Sequence, residues 1–217
     1  MKNIITLIVA LLSSLVNAQT YTTVERFNYL DNVMYGDQGY YFKDTQGYFN
    51  NYKGGTWVYT NVNTTIQLRF DVKTFIQSNN KYKEDVLIGG IHIVKNGVEV
   101  LNSLNDIQQI KQSNTDYFIY DLTRLENTPD CYNCTIPNQR LQMKYKEPNN
   151  ANDAFNNMFF DMHVYYNAQN QPVLRVVFTT SALQGNDPNY YDPIFSNAPT
   201  KTTLHLPFGT YDFVKVP

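Results

Sequence analysis

Apolar and polar residues alternate with period two over much of the chain beyond Lys53, and the clearest instance runs from Gly54 to Phe70. Two runs rich in β-branched and aromatic residues flank Asn61-Val62-Asn63, and asparagine tolerates the left-handed backbone that hairpin turns require. Whether the loop is taken as Val62-Asn63 or as the longer Asn61 to Thr64, Tyr59 faces Ile66 and Trp57 faces Leu68. One face then carries Trp57, Tyr59, Ile66, Leu68 and Phe70. The other carries Thr56, Val58, Thr65, Gln67 and Arg69, as in a sheet with one side on a core and one in water.

A second hairpin is predicted from Asp85 to Leu101, turning at Asn96-Gly97, where both residues must take positive φ. That turn sets Ile93 opposite Val100 and His92 opposite Leu101, with Leu87, Gly89, Ile91, Ile93 and Val100 inward. Gly89-Gly90 in mid-strand suggests a bulge or a tight bend, as in sheets that curl toward closure. Tyr117 to Leu122 reads as a strand, and Arg140 to Lys146 as another with Leu141, Met143 and Tyr145 inward. Leu104 to Asn114 is loop-like, with Ile107 and Ile110 placed for one helical turn.

The third hairpin pairs Phe159–Tyr165 with Val173–Phe178, and its pattern selects the turn. An even loop would set Val164 against Arg175; an odd one, Ala168 to Asn170 or Asn167 to Gln171, matches Phe160, Met162 and Val164 with Phe178, Val176 and Leu174. The odd loop follows, because a one-residue slip exchanges the faces of a strand. Asp161, His163 and Arg175 then share the polar face. Pro148 to Asn157 is an Asn-rich connection, and Ser181 to Lys201, with Pro188, Pro193 and Pro199, is a long loop. Thr203–Leu206 and Tyr211–Val216 close the chain as short strands.

Ahead of the hairpins, Val24, Phe27, Leu30 and Met34 lie near helical spacing, while Tyr40 to Tyr52, broken by Gly47, reads as irregular extended chain. In all, about eight to ten strands in sequence-adjacent hairpins, with no helix for a βαβ crossover, define an all-β fold. An antiparallel meander, a curled sheet or closed β-barrel, is expected, with a sandwich as the alternative.

Met1-Lys2-Asn3, the apolar run Ile4–Val16 and small residues up to Ala18 have the three parts of a secretory signal peptide. The apolar run falls short of the about 20 residues that a bilayer span needs. The expected organisation is a signal peptide over 1–18, a partly irregular lead-in over 19–53 and a single β domain over 54–217, exported to the periplasm or secreted. No membrane span is expected once the signal is cleaved.

Charged residues make up only 17% of the chain and its formal net charge is -2, so nucleic acid and acidic membrane are poor partners. Eighteen Tyr and 13 Phe are unusual; they offer stacking platforms, or they reflect A/T-rich codons together with the many Asn.

Gly55-Thr56-Trp57-Val58-Tyr59, Leu87-x-Gly89 and Val94-Lys95-Asn96-Gly97-Val98-Glu99-Val100, after a signal peptide, resemble an uncharacterised family of exported β-rich proteins of Bacteroidota, a domain of unknown function. That resemblance implies architecture and no activity. Gly55-Thr56-Trp57 is also similar to the Gly-x-Trp that opens the first strand of lipocalins, although about fifty residues precede it here in place of a brief lead-in. The lipocalin likeness implies a cup for a small apolar ligand.

Little in the chain carries chemistry. Cys131 and Cys134 read as a small disulfide closing their own loop, because Pro129 and Asp130 before the pair and Pro137 after it break the strand-to-helix setting of a redox motif. No metal site is expected, since zinc would need two more ligands. Asp161 and His163 lie two apart on one strand face, an arrangement open to acid–base work but commoner as a solvated polar face. Gly-x-Ser-x-Gly is absent, and so is S-x-x-K together with its partner motifs. No catalytic residue and no cofactor are therefore assigned.

The function expected is a non-catalytic binding module for a small apolar or aromatic ligand, with Trp57, Tyr59, Leu68 and Phe70 as candidate ligand-binding residues. The alternative is a structural or interaction protein of the envelope or extracellular space that meets protein or glycan.

Overall fold

A computed structural model of the chain describes residues 20–27, 33–78, 81–111, 113–125, 140–146, 158–180 and 204–216. The expected signal peptide, Cys131 and Cys134, the connection from Pro148 to Asn157 and the long loop from Ser181 to Lys201 lie outside the described residues.

The strands are β1 (Thr22–Glu25), β2 (Tyr40–Lys43), β3 (Thr56–Thr60), β4 (Thr64–Ser78), β5 (Tyr82–Lys95), β6 (Val98–Asn102), β7 (Ile119–Leu125), β8 (Arg140–Tyr145), β9 (Met158–Tyr166), β10 (Pro172–Thr180) and β11 (Gly209–Val216). Eight of them, β3-β4-β5-β7-β8-β9-β10-β11, run as an antiparallel meander in which each strand pairs with the next. Pairing of β11 back onto β3 closes the ring. The fold is thus all-β, a closed up-and-down barrel of the lipocalin-like kind, and the sandwich alternative is excluded.

The first hairpin has the register its pattern predicts, Trp57 opposite Leu68 and Tyr59 opposite Ile66. The third has the five-residue connection Asn167–Gln171, with Phe160, Met162 and Val164 facing Phe178, Val176 and Leu174. There the Asn167 side-chain oxygen accepts the N–H groups of Gln169 and Gln171, and Asn170 takes a φ of +57°. The second hairpin turns at Asn96 and Gly97, both at positive φ.

Its register, however, departs from expectation. A bulge between Ile93 and Val94 sets Ile93 opposite Leu101 and His92 opposite Asn102. The extra residue lets both Val100 and Leu101 pack against the barrel core, which strict alternation would forbid. Of the bulge and the tight bend expected at Gly89 and Gly90, the bulge is not formed against β4, with which both sit in unbroken register, and the two glycines mark close approach. An added Cβ on Gly89 would meet Ile119 at 2.9 Å, and one on Gly90 would meet the Ser103 carbonyl oxygen at 2.6 Å. That approach lets β7 join the meander, through the pair Gly89 and Ile119.

Other expectations are corrected as well. Val24 lies in a strand, not in the helix its spacing with Phe27, Leu30 and Met34 suggested, and Tyr40–Lys43 is a strand where irregular chain was expected. Both run parallel to their neighbours, β1 to β2 and β2 to β5 at Tyr41↔Lys83 and Phe42↔Glu84. Strands β4 and β5 also run further than their hairpins predict, β4 out to Ser78 and β5 back from Tyr82, beyond the barrel. A break in register between Lys73 and Ile76 disrupts the alternation there. No strand forms over Leu204–Leu206; the chain bends so that Leu206 enters the core ahead of Pro207, which has no N–H to give a ladder. Of the two isoleucines after Leu104, Ile107 is buried in a short 3₁₀ turn and Ile110 is exposed.

Inward residues of all eight strands form one cluster, with Trp57, Ile66, Leu68, Leu87, Ile91, Ile119, Leu141, Met143, Phe160, Met162 and Leu174 fully buried. A smaller cluster, Val24, Val33, Phe42 and Tyr82, lies where β1 and β2 dock on the overhanging part of β5.

Candidate functional site

One end of the barrel, where β3 begins, is sealed by the chain's own lead-in. Tyr48–Asn51 is a 3₁₀ turn whose first N–H groups, of Tyr48 and Phe49, donate to the Asp44 carboxylate at 2.8 and 2.9 Å. That anchorage turns Tyr48 and Phe49 into the core cluster. Tyr52 follows; its hydroxyl donates to the Met162 carbonyl at 3.2 Å, and its own carbonyl accepts the Trp57 indole N–H at 2.9 Å. Burial pushes the Tyr52 hydroxyl far above its ordinary pKa, so it acts as a donor at any physiological pH. The Lys215 ammonium, directly across the ladder from Trp57, lies 5.0 Å from the indole centroid and donates to the Lys53 carbonyl.

The opposite end carries the candidate site. Tyr59 ends its inward row near the β3–β4 turn, half-buried, with its ring edge-on to Tyr211 at 5.2 Å and tilted to Phe213 at 5.9 Å. Tyr211 donates its hydroxyl to the Pro207 carbonyl at 2.6 Å, and burial raises its pKa. Phe208 lies 4.9 Å from Phe178, beside the stacked pair Tyr145 and Phe160. Trp57, Leu68 and Phe70 are at most 4% exposed. The structure therefore brings all four candidate ligand-binding residues into one cluster, yet only Tyr59 offers surface. Tyr211 and Phe213 were missed as its partners, although their alternation in β11 already placed them on the inward face.

Asp161 and His163 share the outer face of β9 as expected, and His163 pairs directly with Arg175 across the ladder. The solvated reading fails for Asp161, which is 3% exposed and accepts the Gln142 amide N–H at 2.7 Å. Arg175 grips Asp212 with two bonds of 2.8 Å and lies over the Tyr165 ring. That guanidinium holds the Asp212 carboxyl below its ordinary range. Among the described residues no group of three or more His, Cys, Asp or Glu side chains is placed to hold a metal ion. The sequence also hid a buried ion pair, Arg26 with Glu84, to which the Tyr35 hydroxyl donates as well.

Closed meander, sealed foot and aromatic rim together define a lipocalin-like β-barrel protein. The chain matches the family DUF6705, a family of unknown function, over residues 1–191, and it belongs to that family. Neither a curated protein nor a solved structure matches it.

Proposed function

We propose that this chain is an exported, non-catalytic binding module that takes a small apolar or aromatic ligand at the barrel end opposite the Tyr48–Tyr52 seal. One observation carries the reading: the inward aromatic row ends in the half-buried Tyr59–Tyr211 pair, while the other end is sealed from within. A ligand there would meet Tyr59 first, with Trp57, Leu68 and Phe70 as the packed floor behind it. Kinship with lipocalins, an origin in Bacteroidota, a cleaved signal over 1–18 and a Cys131–Cys134 disulfide belong to the same proposal, as does a periplasmic or secreted location.

Titration with the apolar fluorophore N-phenyl-1-naphthylamine tests the rim. The wild type should bind it, and Tyr59→Ala and Tyr211→Ala should each weaken binding about tenfold or more, the loss of one aromatic contact worth about 1.4 kcal/mol. No binding, or equal binding by all three proteins, would defeat the reading. Native mass spectrometry of protein from its own host would then identify any retained molecule.

The near-zero exposure of Trp57 and Leu68 favours a second reading, a barrel filled by its own side chains that serves as a structural or interaction protein of the envelope, meeting protein or glycan. Ligand pockets enclose about 300 to 1,000 Å³, so an experimental structure with the rim closed and dry would favour it.

A further inference from the structure

Where β4 bulges between Lys73 and Ile76, Phe75 adopts a φ of +57°, a left-handed backbone that bulky residues rarely take. Burial does not account for the strain, because Phe75 is 49% exposed. Tyr21 and Tyr41 stand edge-on to its ring, with centroids 5.6 and 4.9 Å away. The Lys83 ammonium lies over two of the rings, 4.9 Å from the Phe75 centroid and 5.9 Å from that of Tyr21.

Lys83 is half-buried, and it forms no ion pair among the described residues. Its neighbouring carboxylates are engaged elsewhere. Glu84 accepts from Arg26 and Tyr35, and Asp85 accepts from the Tyr41 hydroxyl and from the N–H groups of Asp44 and Phe75. Those bonds to Asp85 hold both Tyr41 and the strained Phe75 in place. Tyr21 ahead of β1, Tyr41 of β2, Phe75 of the bulge and Lys83 of β5 thus converge, the ammonium over two of the rings and Tyr41 beside it across the ladder.

We propose that Tyr21, Tyr41, Phe75 and Lys83 form a second binding site, at the far end of β4 from Tyr59, for a carboxylate carried on a ring with an apolar face, as in a sugar acid or an aromatic acid. Strained, exposed backbone held by its surroundings is a mark of functional sites. Rigid aromatic side chains give contact area at small entropic cost, and a partly desolvated ammonium without a carboxylate partner supplies the charge-assisted hydrogen bond for an anion. A cationic ligand would be repelled by Lys83, and a neutral one would leave it unanswered.

Isothermal titration calorimetry on the full chain tests this with trigalacturonate and 4-hydroxybenzoate as the two acids, and maltotriose and choline as neutral and cationic probes. At least one acid should bind, and which one does separates the two sources. Lys83→Met, which keeps the stem and removes the charge, should weaken that binding tenfold or more. Phe75→Asn should weaken it comparably without lowering the melting temperature, because asparagine tolerates the left-handed backbone. Tyr59→Ala should leave it unchanged, which keeps this site's outcome separate from that of the rim. The proposal is overturned if neither acid binds, if maltotriose or choline binds as tightly, or if Lys83→Met binds as the wild type does; should Phe75→Asn fail to fold, Lys83→Met decides.

Discussion

Gly55 and Gly97 have nearly the same backbone, φ +73° and +77°, and different surroundings. Nothing lies within 4 Å of an added Cβ at Gly97, whereas one at Gly55 would meet the Val216 carbonyl oxygen at 2.6 Å. Gly97→Ala should therefore cost only the left-handed penalty, about 1 to 2 kcal/mol. Gly55→Ala should cost clearly more, since β11 would have to withdraw from β3. Chemical denaturation of the two variants measures the difference, and equal losses would refute the close approach. Trp57, two residues on, has no exposed surface, and Trp57→Ala should cost about 3 to 5 kcal/mol. A near-neutral result would contradict its place in the core. The glycine and tryptophan of this short motif thus have physical roles that do not depend on any ligand.

Among the elements, β5 is the one on which most others depend. One edge pairs with β4 along nearly its whole length, while the other meets β2 at Lys83 and Glu84, β7 at Gly89, and β6 from His92 onward. Amide hydrogen exchange should be slowest along β4–β5 and β9–β10, where register is long, and fastest at the β5–β7 seam; uniform protection around the ring would contradict this. At β10–β11, the Arg175–Asp212 pair ties neighbouring strands. Because the Asp212 carboxyl is held below its ordinary 3.8 by Arg175, the pair's contribution is full above that value and is lost as pH falls through the folded pKa. Both side chains are about two-fifths exposed, so the contribution stays below about 1 kcal/mol. Asp212→Asn should flatten the acid limb of a melting-temperature profile without changing its neutral plateau by more than that.

Each strand whose alternation is unbroken was legible in the chain: β3, β8, the barrel part of β4, and β9 with β10, where matching apolar faces even selected the length of the turn. Legibility fails where another constraint overrides period two. The bulges at Ile93–Val94 and Lys73–Ile76 shift register for reasons of packing that lie in partner strands. Short β1 and β2 pair in parallel with chain far away in sequence, so no local hairpin signal announces them. Of the candidate site, Tyr59 and its floor followed from the first hairpin, but Tyr211 became its neighbour only through closure of β11 onto β3. The cluster around Lys83 had no signal at all, because its four residues meet only in three dimensions.

At the scale of the whole molecule, the lead-in is built into the barrel at two points. Tyr48, Phe49 and Tyr52 fill its foot, and Phe42 on β2 covers Tyr82 on the overhang of β5. A chain beginning at Asp44 would keep the seal and lose β1 and β2. It should still fold, yet Lys83 and Glu84 of β5 would present a bare ladder edge with Arg26 gone and the Glu84 carboxylate stranded. Sedimentation of that shortened protein should reveal self-association that the intact chain does not show. In this sense β2 is a chaperone the polypeptide carries for itself, shielding the rungs of β5 on which a stranger's strand could most easily alight.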